Sequence, residues 1–227
     1  FASTKVLQMY NVPFSYIENC DIEDPVFDEG FRKFLAVVST IKAFSGMRIG
    51  QIGTWPNPFA SVKVNEIELL QKFGIEIVPI TMQDLVEKIE KLKKSEPDRI
   101  REEADSMQAI YQLDGGTTYD HLKKAAALKL SVEDWAIEEN LSAAVAMCWG
   151  PMIEATGIAP CFVLGDVCDD GFPFICETDI HGAVTAVMAV AAARYKTPIF
   201  LADMTIRHPD NKNSELMWHC GVFAKSL

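Results

Sequence analysis

The chain has 227 residues and a formal net charge of −11, with 49% hydrophobic and 23% charged residues. That length and balance fit a globular protein able to bury one large core or two small ones. The acidic surplus argues against a nucleic-acid partner, which needs a basic face, and the longest apolar runs, such as the Ala-rich 182–193, are too short to cross a bilayer as a helix.

In chain order, the first residues already read as helical, and 14–17 reads as a short strand. Apolar residues at 31, 34, 35, 37, 38, 41 and 44 predict an amphipathic helix over 30–44, ended by Ser45 and Gly46. A buried strand over 48–53, a Pro-rich turn, a helix over 61–73 closed by Gly74, and a strand over 75–80 follow. Strand, helix, strand in that order predicts a right-handed crossover and a parallel sheet. Residues 81–112 are charged and helical, with Thr81 as cap. Asp114, Gly115, Gly116 and Thr117 break the helix, which restarts over 118–130, and 133–140 reads as a further helix. Strand patterns recur at 143–148, 172–175 and 198–205, the second followed by a helix of small residues over 182–194. A polar loop at 207–214 leads to a last strand. The expectation is an α/β protein, a Rossmann-like doubly wound parallel sheet over 1–170 joined to part of a second αβ lobe over 171–227. Because the chain starts in a helical pattern and stops just after a strand, it reads as an internal piece of a longer polypeptide.

The six cysteines (20, 148, 161, 168, 176 and 220) show no CxxC pair and no zinc-finger spacing. Three lie in apolar stretches and read as reduced, buried thiols, which predicts a cytoplasmic protein.

Chemistry concentrates after the apolar run 172–175. Glu177 and Asp179 lie two apart, the spacing that puts strand residues on one face. Both can then aim past the carboxyl end of a strand, where open α/β sheets bind ligands. Two carboxylates that close need a cation between them or a shared proton. The plainer reading of the same residues is an Asp N-cap with an acid beside it. Glu154 follows the apolar run 143–148 and Pro151, and reads either as a site acid or as a helix-start residue. His219, between Trp218 and Cys220, reads either as a ligand or as a satisfied core histidine. Glu, Asp and His converging from successive strand ends form an oxygen-rich set with one nitrogen, suited to Mn²⁺ or Mg²⁺. Trp149 and Trp218 flank the set and can stack on a sugar or pack in the core.

An ordered series of motifs resembles the L-fucose isomerase-like family of the fucose/arabinose isomerase group. It runs through Gly50, Gln51, Ile52, Gly53, Thr54, Pro56, Pro58 and Phe59, then Asn65 and Glu66, then Phe73, Gly74, Ile75 and Glu76. It continues with residues 149–154, then Cys176, Glu177, Asp179, Gly182 and Ala183, then residues 202–205, and then residues 218–221. The resemblance covers nearly the whole chain, and it implies a metal-dependent aldose–ketose isomerase working through an enediol. It puts the family's two acids, catalytic and metal-binding, on Glu154 and Asp179, with Glu177 and His219 as further metal ligands. It implies Mn²⁺, with Mg²⁺ or Co²⁺ as alternatives, a small-molecule sugar substrate and a homo-oligomer. Trp55 stands in the turn where the family usually carries Arg, which makes it a substrate-contacting position together with Trp149 and Trp218. The family's last metal-binding histidine lies further along than this chain reaches. Two rival readings stay open. One is a sugar-binding module of the same fold without catalysis. The other is a nucleotide site at Gly50, Gly53 and Thr54, whose spacing matches neither GxGxxG nor a P-loop.

Overall fold

A computed structural model describes residues 2–227. Helices α1 (Ala2–Met9) and α2 (Pro25–Phe44) precede strand β1 (Arg48–Ile52). Helix α2 starts five residues before the expected position, because Asp24 caps it and Pro25 takes a first-turn place. Residues 14–17 form no strand. A loop carrying a short 3₁₀ turn (Ala60–Val62) leads to α3 (Glu66–Phe73), which Asn65 caps and Gly74 closes at φ +67°. Strand β2 (Glu76–Ile80) follows.

The charged stretch is two helices, α4 (Met82–Ser95) and α5 (Pro97–Ile110). Pro97 lacks the N–H that a continuous helix would need, so the chain breaks in front of it. The opposite happens in α6 (Tyr119–Glu138), which runs unbroken where the sequence suggested two pieces. Thr118 and His121 form its capping box. Then come β3 (Ala143–Ala146), α7 (Gly150–Thr156), α8 (Cys161–Asp169), β4 (Phe174–Cys176) and α9 (Ile180–Ala192). The chain ends with the strand pair β5 (Asp203–Arg207) and β6 (Glu215–Trp218).

The main sheet has the order β2-β1-β3-β4, all parallel, and β5 and β6 form a separate antiparallel pair. This is the α/β, Rossmann-like architecture that the alternation of strands and helices predicts. Residue 170, where the sequence changes character, lies just before β4, and β4 belongs to the same sheet as β1–β3. From β1 the chain moves outward to β2, then returns across β1 to place β3 on its other side. That reversal opens a crevice at the carboxyl ends of β1 and β3.

Close packing fixes two positions. A side chain at Gly50 would meet the Trp135 ring at 2.5 Å, so glycine lets α6 lie directly on the sheet. A side chain at Gly165 would overlap the Phe223 carbonyl, so the segment after β6 rests on α8. The same segment carries His219, whose Nε2 lies 3.4 Å from Cys176 Sγ at the end of β4.

Glu133, on the partly buried side of α6, has its carboxyl pushed up to about 7, chiefly by burial. An acid whose folded value exceeds its unfolded one holds its proton longer in the native state. Stability is therefore fully present below the unfolded value of 4.5 and declines as pH rises through about 7. Glu133→Gln is expected to match the parent at pH 4 and to gain on the order of 1 kcal/mol at pH 8, after allowance for solvent screening. Urea unfolding at the two pH values checks this.

Candidate functional site

Strand β4 stops at Cys176, and the next two residues take left-handed backbone, Glu177 at φ 62° and Thr178 at φ 53°. For a β-branched residue this is a costly conformation, on the order of 1–3 kcal/mol. It persists because neighbours hold it. Thr178 N–H donates to the Ala146 carbonyl at 3.1 Å, and Asp179 N–H donates to the Cys176 carbonyl at 3.2 Å. The Thr178 hydroxyl donates to the Glu177 carbonyl at 2.6 Å. The strand alternation expected to put Glu177 and Asp179 on one face therefore ends before either residue. Glu177 turns toward the segment after β6. Asp179 caps α9, its Oδ1 accepting from Gly182 N–H at 2.9 Å.

A second strained turn meets the first. His219 follows β6 and is 8% exposed, and Val222, three residues on, sits at φ 56° and is fully buried. The His219 Nε2 lies 3.4 Å from Cys176 Sγ. One ligand atom each from Cys176, Glu177 and His219 fall within 4.8 Å of one another. Backbone strain of this kind, at two converging turns, collects at binding and catalytic centres.

The imidazole has two alternative arrangements. Its Nδ1 lies 3.0 Å from both the Gly221 N–H and the Gly221 carbonyl. With the proton on Nδ1, the ring donates to the carbonyl and Nε2 keeps a free lone pair facing Cys176 and Glu177. With the proton on Nε2, the ring accepts from Gly221 N–H and donates to the thiol. The first arrangement is the one a cation requires.

The Glu177 carboxyl is raised above the usual range, chiefly by burial; Asp203 and Asp179 raise it further, while the His219 charge and a hydrogen bond from the Trp149 side chain pull it down. The Cys148 thiol is the main reason the Cys176 thiol is held far above its ordinary value, with burial second.

The other residues singled out in the sequence lie around this cluster. Glu154 is exposed on α7 and lies outside the group. Trp149, just before α7, is 40% exposed and packs edge-on against Phe59, with ring centres 5.0 Å apart. Trp55 is similarly half-exposed and carries the Lys63 ammonium 5.2 Å above its ring. Trp218 is exposed on β6. Two members of the neighbourhood are not legible as site residues in the sequence. Cys176 reads there as a core thiol. Asp203, the first residue of β5, pairs in register with Trp218 and so lies beside His219; its place in the run 202–205 was the available signal.

A separate open crevice of about 530 Å³ lies at the ends of β1 and β2, lined by Gly53, Thr54, Thr81, Met82 and Asp84 among others. Its lining includes the Asp84 carboxylate and no lysine or arginine, which is poor chemistry for a phosphate.

No family model matches the chain. It is similar to curated proteins named sulfoquinovose isomerase. Identity is 27% over 226 residues to those of Priestia aryabhattai and Priestia megaterium, and 25% over 226 residues to that of Alkalicoccus urumqiensis. Each alignment covers 100% of this chain and 49% of the relative. The chain thus spans about half the length of the curated relatives it matches.

Proposed function

We propose that this chain is the part of a sugar ketol-isomerase that holds a divalent cation and one end of an aldose. One observation carries the reading: Cys176, Glu177 and His219 converge within 4.8 Å between two strained turns at the carboxyl end of a parallel sheet. The relatives' name supplies the reaction class, and sulfoquinovose is the first substrate to try.

The donor set fits a cation. A carboxylate and an imidazole nitrogen are ligands that Mn²⁺ and Co²⁺ both take, and three donors leave coordination positions open for a substrate. A thiol in third place favours Co²⁺ or Zn²⁺ over Mg²⁺. Glu177 and His219 would hold the ion, with Cys176 within reach of it. When bound, the cation would polarise the sugar's carbonyl and the neighbouring hydroxyl.

The chain's own groups would manage the proton. Isomerisation moves one hydrogen between adjacent carbons, so a carboxylate must take it from one and return it to the other. We assign that step to Asp179, whose Oδ1 accepts from Gly182 N–H, a bond that holds the side chain in one orientation. Glu154 is proposed as the second acid, acting across Trp149 from the exposed side of α7. Trp149 and Trp218 offer half-exposed ring faces to the apolar side of a sugar.

The test uses the full-length protein. Dialysis against EDTA is expected to cut conversion of sulfoquinovose to its ketose at least tenfold, and Mn²⁺ or Co²⁺ to restore it. Restoration with Co²⁺ should also bring a thiolate-to-metal absorption band if Cys176 ligates, and none if only Glu177 and His219 do. Full turnover after verified metal removal would overturn the cation assignment. Sugar binding without turnover, with or without metal, would replace the isomerase by the binding-module reading.

A further inference from the structure

The loop over 53–65 holds one basic side chain, Lys63. The other connections leaving the carboxyl ends of the sheet are 81, 147–149 and 177–179, and none contains lysine or arginine. In a chain with net charge −11, Lys63 is therefore the one Lys or Arg charge that these four connections present. It forms no ion pair among the described residues. Its ammonium stands 5.2 Å over the Trp55 ring, an attraction that steadies the stem while leaving the charge free for an anion.

The same loop connects Lys63 to the candidate site. The Phe59 N–H donates to the Pro56 carbonyl at 2.9 Å, which folds the residues just after Trp55 into a tight turn. Phe59 packs edge-on against Trp149 at 5.0 Å, and the Trp149 side chain is one of the groups that draw the Glu177 carboxyl down. One loop thus carries the Lys63 cation over Trp55 and, through Phe59, packs on Trp149, which follows β3. Half-exposed rings with a cation beside them suit a polar ligand with an apolar face and an anionic tail.

We infer that Lys63, positioned by Trp55, recognises an anionic group at the end of the sugar remote from the reacting carbons. The sulfonate of a sulfonated hexose meets that description. This rests on the sugar-isomerase reading and adds to it a residue that determines substrate choice. Lys63 takes no part in the proton transfer, so its removal should weaken binding and spare the chemical step.

The experiment compares the full-length protein with Lys63→Met, which keeps a stem over Trp55, and Lys63→Arg, which keeps the charge. Substrates are sulfoquinovose and its uncharged counterpart, 6-deoxyglucose. Lys63→Met is expected to raise KM for sulfoquinovose about tenfold or more, to leave kcat within a factor of about three, and to leave the neutral sugar unchanged. Lys63→Arg should stay near the parent. Added salt should raise KM of the parent and not of Lys63→Met. Binding of sulfoquinovose is measured in parallel by calorimetry. If nothing turns over yet Lys63→Met weakens sulfoquinovose binding, the isomerase reading fails and this inference stands. An unchanged KM and binding constant in Lys63→Met, no preference for the anionic sugar, or no sulfoquinovose binding at all would overturn it.

Discussion

On the proposed isomerase reading, Glu177→Gln is expected to lower kcat on sulfoquinovose by roughly 10²-fold or more while leaving the fold intact. Glutamine keeps the size of the side chain and keeps a carbonyl oxygen at its end. What it removes is the negative charge between Cys176 and His219. A cation held by one imidazole and one thiol, without a carboxylate, binds far more weakly. Co²⁺ affinity, followed by calorimetry or absorption, should fall together with kcat. The thermal midpoint should hold or rise, because burial and the charges of Asp203 and Asp179 disfavour the ionised form of this acid in the native protein. A variant that keeps Co²⁺ affinity and turnover would remove Glu177 from the site. Glu154→Gln, run beside it, separates the two acids: the exposed position on α7 predicts unchanged metal affinity and a loss confined to turnover.

Much of the architecture is legible before any coordinates, and the reason is local. Strand β3 reads as a continuous apolar run because both its faces are covered, and all four of its residues are buried. Gly74 marks its helix end because its backbone is left-handed there. The break at Pro97 is equally local and was available from the sequence, since proline cannot continue the hydrogen-bond ladder, yet the charge pattern on either side obscures it. The strand expected at 14–17 fails because a short apolar run forms no strand without a partner to pair with.

The site was half legible. Glu177 and His219 are visible as polar groups set in apolar surroundings, and the structure brings them together. Their geometry was not visible, because it depends on where β4 stops. A strand continued through Asp179 would aim both acids one way. The left-handed turn at Glu177 and Thr178 instead sends Glu177 to His219 and leaves Asp179 as the cap of α9, and no residue there announces it, since neither is glycine or asparagine. Cys176 looked like core because a buried thiol ordinarily is. The approach of a segment 43 residues later in the chain brings the His219 imidazole to it.

Lys129→Met is expected to cost about 3 kcal/mol or more of folding stability at pH 7, a larger effect than any surface ion pair would show. The Lys129 side chain is 9% exposed, and its ammonium touches Glu103 and Asp166 at 2.8 Å each and Asp170 at 2.6 Å. Burial alone would lower its pKa, but the hydrogen bonds to Asp166, Asp170 and Glu103 outweigh that and raise it. Asp166 is nearly as buried and also accepts from the Tyr111 hydroxyl at 2.5 Å. Methionine fills the space of the stem and leaves three acids without their cation. The most buried of them, Asp166, then has to be protonated or to stay charged in a poor solvent. The stranded charges oppose folding most where carboxylates are ionised, so the deficit is greatest at neutral pH and narrows in acid. Adding Asp166→Asn should recover part of the loss, because it removes the stranded charge. The consequence reaches the site. Asp166 stands beside Gly165 on α8, where the Phe223 carbonyl rests, so loosening α8 loosens the mount of His219. Lys129→Met should accordingly weaken Co²⁺ binding although Lys129 touches no proposed ligand. Urea unfolding at pH 5 and pH 7 with a parallel metal titration measures both effects. A variant within 1 kcal/mol of the parent at pH 7, with Co²⁺ affinity unchanged, would show that α8 holds its place without this charge cluster.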